Sequence, residues 1–331
     1  MRYSRFTRIW NEYGEVIMIN ISRAHGIMFH HFCDDRHPRG QGAISADELA
    51  AMIRFLGQDR ILSAQEWMRR ALENTLQPED LCFTFDDGLR CQYEIARPVL
   101  EDFGIKAFWF VYSSILEGSL ERMEIYRYFR TTHFADVDDF YAAFFDAVIT
   151  IKHSQRLRDP HARFDPQTYL VNVAFYSEND RHFRFVRDEV LGPAAYHWIM
   201  DAMIERMGLE LKELAADLWM DAAALRDLHA TNHVIGLHSH THPTRIVRMT
   251  DAEQTREYTD NHSILTRVIG CPPLSMSHPC NSYNSATLEV LRRLGIRLGF
   301  RANLSYEERS ELEWPREDHS NVMRALEEKA A

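Results

Sequence analysis

The chain has 331 residues, 45% of them apolar, which is enough to bury the core of one large α/β domain or of two average ones. This composition excludes a chain that is mainly disordered. The 38 basic and 49 acidic side chains give a net charge of −11, with no long run of either sign. Such a charge argues against nucleic acid or an anionic membrane as a partner, because binding to either needs a basic surface.

Cysteine usage and the N-terminal residues bear on location. The five cysteines lie far apart and form no C-x-x-C pair, which indicates reduced thiols. Residues 1–20 contain basic side chains but no apolar run of signal-peptide length, and no 18-residue apolar stretch occurs in the sequence. We therefore expect a cytoplasmic protein without a membrane span. The oligomeric state is not predicted.

Short apolar runs alternate with amphipathic segments in the N-terminal and C-terminal parts of the chain, on either side of a central stretch. Ser45 and Glu48 form a capping box that begins one helix, and Ser63 and Glu66 repeat the pattern for a second. Strand, helix and strand joined by short connections imply parallel strands with right-handed crossovers. The predicted strands are residues 26–30, 81–85, 105–111, 233–237 and 296–300.

The alternation stops for about 110 residues between the third and fourth predicted strands. This stretch is rich in Glu, Arg, Ala, Leu and aromatic residues at helical spacing, which indicates a mainly helical insertion. We expect one barrel-like or open α/β domain that carries this insertion. The predicted divisions are an N-terminal arm (1–24), a first barrel half (25–118), the insertion (119–229), a second barrel half (230–319) and a C-terminal tail (320–331).

Two acidic residues follow the second predicted strand, in the sequence Thr84-Phe-Asp86-Asp87-Gly88. Parallel α/β folds place their sites where loops leave the strands. One carboxylate can bind a cation there while the other accepts a proton from a water molecule. An Asp-Gly pair is also common in simple turns, so this motif alone does not settle its role.

Three histidines, His238, His240 and His242, follow the fourth predicted strand. In an extended segment all three would share a face, whereas in a helical turn His238 and His242 would converge at the i, i+4 spacing of zinc pairs. Either geometry suits a divalent metal. Two histidines and one carboxylate with open positions form the ligand set of hydrolytic metal sites.

These two motifs resemble the first and second motifs of the polysaccharide deacetylase family, also called the NodB-homology or carbohydrate esterase family 4. The family reads T-F-D-D-G in the first and H-[S/T]-x-x-H in the second. The segment from Ser277 to Tyr283 falls where the third family motif, R-x-P-[F/Y]-G, is expected. The resemblance implies a distorted (β/α) barrel with fewer than eight strands, in which the insertion has no counterpart.

The resemblance also implies roles for individual residues. Asp86 becomes the general base, and Asp87, His238 and His242 become the ligands of a divalent metal ion, with zinc expected first and cobalt, manganese or nickel as alternatives. A water molecule activated by the metal would attack an N-acyl carbonyl, and a backbone N–H, for which Cys280 is the candidate, would stabilise the oxyanion.

The third motif departs from the family, because Ser277 stands in place of its arginine, Cys280 in place of its aromatic residue and Asn281 in place of its glycine. We predict that Arg316 orients Asp86 instead. His319, with Asp318 as its partner, is the candidate general acid. A role in a surface loop is the alternative for both residues.

Further polar residues are predicted to line the cleft, namely His30, His240 and His278. The expected substrate is an N-acylated amino sugar, as a nucleotide sugar, a lipid-linked saccharide or a small glycoside, and the expected acyl group is acetyl. Two alternatives remain open at this point. One is a cyclic-amidohydrolase-like enzyme for ureides or nucleobases that uses the His238-x-His240 pair, and the other is a carbohydrate-binding homologue that has lost turnover.

Overall fold

The structure is a computed structural model that describes residues 6–10, 16–20, 23–155, 164–171, 176–305 and 310–330. Parts of the predicted N-terminal arm (1–5, 11–15 and 21–22) therefore lie outside the described residues. The same holds for residues 156–163 and 172–175 of the predicted insertion, for 306–309 of the second barrel half, and for the last residue of the predicted tail.

Nine strands occur in the described part of the chain, and they form two sheets. Strands β1 (Phe6–Trp10) and β2 (Val16–Asn20) pair with each other in a two-stranded sheet. The other seven form one sheet in the order β8-β7-β6-β5-β4-β3-β9. They are β3 (His25–Phe29), β4 (Leu81–Phe85), β5 (Phe108–Val111), β6 (Val234–Leu237), β7 (Ser275–Ser277), β8 (Leu298–Phe300) and β9 (Arg316–Asp318).

The α-helices of the described residues lie between and after the strands and are numbered in chain order. They are α1 (Ala46–Leu56), α2 (Ala64–Glu73), α3 (Arg97–Asp102), α4 (Arg122–Thr132), α5 (Val137–Gln155), α6 (Glu178–Phe185), α7 (Gly192–Arg206), α8 (Leu211–Leu214), α9 (Ala222–Ala230), α10 (Asp251–Ile269), α11 (Ser285–Arg293) and α12 (His319–Ala330). None of them is both long and apolar enough to cross a bilayer.

All neighbouring strands of the large sheet run parallel, as the short βα connections predict. The two end strands nearly meet, because Trp314, two residues before β9, pairs with Phe300 of β8 and exchanges backbone hydrogen bonds with Gly299 and Arg301. The sheet is therefore a nearly closed seven-stranded barrel. This confirms the predicted distorted (β/α) barrel with fewer than eight strands.

The chain divides into two compact units. The barrel unit comprises Asn20–Glu121 and Asp217–Ala331 together with Met1–Thr7, and it contains β3 to β9. Its core is built by buried side chains of the strands and of the helices around them, such as Phe83, Trp109, Leu49 and Leu265. Ser45 forms the predicted capping box with Glu48 at the start of α1.

The second unit comprises Arg122–Ala216 together with Arg8–Ile19, and it contains α4 to α8. Its aromatic side chains pack against one another, with ring centroids of Phe144 and Phe183 4.9 Å apart and Tyr196 within 6.1 Å of both. Tyr126 donates to Asp201, and Tyr141 donates to Asp180. The aromatic residues of this segment therefore form a packing face.

Four segments differ from the predicted divisions and strands. Helix α9 falls inside the predicted insertion of 119–229 but belongs to the barrel unit, because Leu225 and Leu228 join the barrel core. The predicted tail of 320–331 instead contributes to α12, and the side chain of Val322 is buried in the same core. Strands β7 and β9 are not among the predicted strands, because Ser-Met-Ser has a single apolar residue and Arg-Glu-Asp has none.

Candidate metal and base site

The acidic motif lies in a sharp turn at the carboxyl end of β4. Asp87 and Gly88 both have positive φ angles, of 76° and 64°. A Cβ atom on Gly88 would lie 3.1 Å from Val111 Cγ1, so a glycine suits this position for both its backbone conformation and its size. The turn sends the two neighbouring carboxylates in different directions.

The histidine loop follows β6 and is neither extended nor helical. Positive φ angles at Ser239 (64°) and His242 (55°) bend the chain, and Ser239 Oγ accepts from the His242 N–H at 3.1 Å. His238 and His242 converge as a result, with ring centroids 5.0 Å apart. His240 points elsewhere, and its Nδ1 lies 3.0 Å from Ser113 Oγ.

Asp87, His238 and His242 come together as a potential metal site. Asp87 Oδ1 lies 3.4 Å from His238 Nε2 and 3.3 Å from His242 Nε2. Within the described residues this is the one group of three or more such side chains whose ligand atoms all lie within 4.8 Å of one another. Asp87 Oδ1 is buried and has no hydrogen-bond donor among the described residues. A cation would satisfy this oxygen, so the three residues fit a divalent metal ion.

The electrostatics of the three side chains also suit a cation. Burial would raise the pKa of Asp87, but His242 and His238 hold it far below its usual range, so this carboxylate is ionised. Burial lowers the pKa of His242 to about 4 in spite of Asp87, which keeps its ring neutral. Burial also acts on His238, but Asp86 and Asp87 outweigh it and raise the pKa of that ring. Ligation requires a neutral imidazole and therefore displaces a proton from His238 whenever it is charged.

Asp86 lies beside this group and is held by Arg316 of β9. Arg316 Nη1 donates to Asp86 Oδ1 at 2.7 Å and its Nη2 donates to Oδ2 at 2.8 Å, so the contact is bidentate. Both side chains are almost completely buried, at 0% and 3% exposure. Burial alone would raise the pKa of Asp86, but Arg316 and His238 hold it below its usual value.

The path of the Arg316 side chain depends on two small neighbours. Arg316 pairs with Gly26 across β9 and β3, and a Cβ atom on Gly26 would lie only 3.2 Å from Arg316 Cγ. Further along, Arg316 Nη1 donates to Thr84 Oγ1 at 3.2 Å, and Nε donates to the Arg301 carbonyl oxygen. The guanidinium thus reaches Asp86 from a strand that begins 230 residues later in the chain.

His319 and Asp318 follow Arg316 at the end of β9. The ring nitrogens of His319 lie 3.2 Å from the Met28 carbonyl oxygen and 2.9 Å from the Gly42 carbonyl oxygen. Burial lowers the pKa of His319 although Asp318 opposes this effect. Both ring nitrogens are therefore occupied by contacts with backbone carbonyl oxygens. The role of His319 as general acid stays a prediction, and this geometry does not support it.

The remaining predicted cleft residues have different surroundings. His278 is fully buried, its Nε2 lies 2.9 Å from the Leu312 carbonyl oxygen, and burial lowers its pKa to about 3. Cys280 is exposed and has a positive φ angle of 50° in the turn Pro279–Asn281. His30, directly after β3, is half-buried. Roles for these residues also stay predictions.

Helix α10 contributes two residues that the sequence analysis did not single out. Glu257 accepts hydrogen bonds from the backbone N–H groups of His240 and Thr241 at 3.0 and 2.8 Å. Asn261 accepts from the His238 N–H and donates to the Val111 carbonyl oxygen. Both are polar side chains on the buried face of a helix, beside Tyr258 and Leu265, and that pattern is the signal that could have identified them.

Three comparisons relate this chain to known proteins. The profile of the polysaccharide deacetylase family matches residues 193–299, which include His238 and His242 but neither Asp86 nor Asp87. No curated protein matches the sequence. Several solved structures do share the fold.

The structure of IcaB from Ammonifex degensii has 14% identity and a TM-score of 0.54, and the alignment covers 92% of this chain and 97% of that one. The Streptococcus pyogenes deacetylase PplD in complex with acetate has 14% identity and a TM-score of 0.51 over the same shares of the two chains. A de-N-acetylase from Aggregatibacter actinomycetemcomitans has 13% identity and a TM-score of 0.52, with 89% and 94% covered. These identities show a common fold. The family profile shows a polysaccharide deacetylase domain in residues 193–299, and the motifs on both sides of the barrel are similar to those of that family.

Proposed function

We propose that the protein is a metal-dependent hydrolase that removes an N-acyl group, with acetyl as the expected one, from an amino sugar. The observation that carries this proposal is the pairing of two carboxylates with opposite surroundings. Asp87 Oδ1 accepts no hydrogen bond from the described residues and faces the Nε2 atoms of two histidines. Asp86 is held beside it by Arg316. The family profile and the deacetylase fold support the same reaction class.

A divalent cation held by Asp87, His238 and His242 would lower the pKa of a water molecule and polarise the acyl carbonyl. Asp86 accepts the proton of that water, because Arg316 keeps its carboxylate ionised and fixes its orientation. The N–H of Cys280 remains the proposed donor to the oxyanion. The attack breaks the C–N bond and yields a carboxylic acid and a free amine.

Two residues argue against the cyclic-amidohydrolase alternative. That hypothesis requires His240 as a metal ligand. However, His240 Nδ1 lies beside Ser113 Oγ, and the backbone N–H of His240 donates to Glu257. The binding-protein alternative predicts that no substrate is turned over although the metal is bound. We also propose a cytoplasmic location, which is supported by the five cysteines, all present as thiols, and which cell fractionation would test.

The decisive experiment measures acetate release from N-acetylated sugars, including chito-oligosaccharides and nucleotide-linked N-acetylhexosamines, by protein loaded with zinc, cobalt, manganese or nickel. Asp86→Asn and Asp87→Asn are matched variants of adjacent residues. We expect the first to keep its metal and lose about 10²- to 10⁴-fold in kcat, the range of a general base, and the second to lose the metal. Metal-loaded wild type that releases no acetate from any substrate would contradict the proposal.

A further inference from the structure

Ser277 ends strand β7 and touches both halves of the site. Its Oγ lies 3.0 Å from Asp86 Oδ1 and 2.7 Å from His238 Nδ1. Its carbonyl oxygen lies 3.0 Å from the same His238 nitrogen. Ser277, Asp86 and His238 are all buried. The serine hydroxyl therefore bridges the proposed base and a proposed metal ligand.

The direction of each hydrogen bond follows from counting protons. His238 Nε2 faces Asp87 Oδ1 in the proposed metal site. To bind a cation there, this nitrogen must carry a lone pair and no proton. The single proton of the neutral ring then sits on Nδ1, which donates to the two oxygens of Ser277. Since Ser277 Oγ accepts from His238, its own proton is donated to Asp86 Oδ1.

The substitution in the third motif makes this bridge available. The motif resemblance places an arginine at position 277, where this chain has a serine. Arg316 donates to both oxygens of Asp86 from β9, so no guanidinium is needed on β7. A short hydroxyl at 277 fits between Asp86 and His238 within hydrogen-bond distance of both.

We propose that Ser277 is a positioning residue that fixes the ring of His238 for metal binding and links it to Asp86. This inference rests on the metal site of the proposed function. It goes beyond that function, because it assigns metal affinity to a residue that is neither a ligand nor the base. Outer partners of metal-bound histidines typically contribute roughly 10- to 100-fold in metal affinity.

Ser275 provides a matched control on the same strand. It lies two residues before Ser277, so both side chains are on the same face of β7, and both are fully buried. Its Oγ is buried and has no hydrogen-bond partner in the part of the chain that the structure describes. Replacing either serine by alanine removes one buried hydroxyl, but only the hydroxyl of Ser277 contacts Asp86 and His238.

The experiment measures the affinity of purified protein for Zn²⁺ and Co²⁺ by competition with a chelator, together with the thermal unfolding of each metal-free variant. We expect Ser277→Ala to weaken binding about tenfold, at the low end of the range because the backbone carbonyl still accepts from His238. Ser275→Ala should change the affinity less than twofold. Equal affinities of the two variants would overturn the inference, and the unfolding curves identify any loss that comes from reduced folding.

A double-mutant cycle with Asp86→Asn tests the link to the base. Asp86 polarises the hydroxyl that accepts from His238, so the cost of Ser277→Ala in metal affinity should be smaller in the Asp86→Asn background. The same cost in both backgrounds would overturn the link. Metal binding is measured here without turnover. A protein whose metal affinity depends on Ser277 but which releases no acetate therefore contradicts the proposed function alone. An active enzyme whose metal affinity is unchanged by Ser277→Ala contradicts this inference alone.

Discussion

Asp86 and Asp87 are neighbours in the sequence but have opposite surroundings. Both oxygens of Asp86 accept hydrogen bonds, from Arg316 and from Ser277, so this carboxylate is satisfied by the protein alone. Asp87 Oδ1 is buried without a donor and faces two histidine nitrogens. The difference shows that the fold alone satisfies one carboxylate and leaves an oxygen of the other available to a cation.

The most severe test of this comparison removes a ligand on the Asp87 side. We expect His242→Ala to lower the affinity for divalent metal by more than the roughly 10- to 100-fold typical of outer partners, and to abolish turnover. Elemental analysis and acetate release are the measurements. His240→Ala is the control, since His240 faces Ser113, and it should keep both metal and activity. Loss of metal only in His240→Ala would contradict the site.

On the Asp86 side, Arg316→Ala should act on folding as well as on turnover. Removing one partner of a buried ion pair leaves the other charge uncompensated and costs about 3–5 kcal/mol. Urea denaturation should show this loss in the free energy of unfolding. Arg316→Lys keeps the charge but not the bidentate contact, so its loss should be smaller while kcat still falls. An unchanged stability of Arg316→Ala would show that the pair is not buried in solution.

A smaller effect on stability is expected at Glu313, which belongs to a hydrogen-bond network that reaches Arg316 through Arg301. Arg301 donates to Glu313 at 3.0 Å, and the carbonyl oxygen of Arg301 accepts from Arg316. Burial opposes ionisation of Glu313, but bonds from Ser310 and Arg301 lower its pKa to about 2. A lowered pKa stabilises the fold above the usual pKa of glutamate, about 4.3, and this contribution is lost as the pH falls to 2.

The measurement is the free energy of unfolding of wild type and Glu313→Gln between pH 7 and pH 2. The difference between the two proteins should be largest at neutral pH and shrink progressively below pH 5. A difference that stays constant over this range would show that Glu313 is not held ionised by its neighbours.

The smallest effect is expected for His319→Gln. A general acid contributes roughly 10²- to 10⁴-fold to kcat, but the ring nitrogens of His319 are directed at backbone carbonyls. We expect kcat to fall less than tenfold, measured by acetate release at saturating substrate. A loss of 100-fold or more, with unchanged metal content, would restore His319 as the general acid.

The motifs made part of the site predictable from the sequence. Asp87, His238 and His242 lie in two short loops that follow apolar strands, so both their chemistry and their common edge of the barrel can be inferred. The resemblance implied His238 and His242 as the ligand pair, but the loop conformation that brings them together without His240 could not be inferred. It depends on positive φ angles at Ser239 and His242, which neither residue type indicates.

By itself the sequence determined the barrel class, its alternating strands and helices, and the types of ligand available, because local apolar patterns and short motifs encode them. The sequence also predicted that Arg316 orients Asp86, but only the tertiary structure decided the bidentate geometry of that contact. Strand β9 has no apolar residue to reveal it, and it exists because it pairs with β3 beside Gly26. That pairing directs Arg316 through the barrel to Asp86, a contact between residues 230 positions apart that no local pattern specifies.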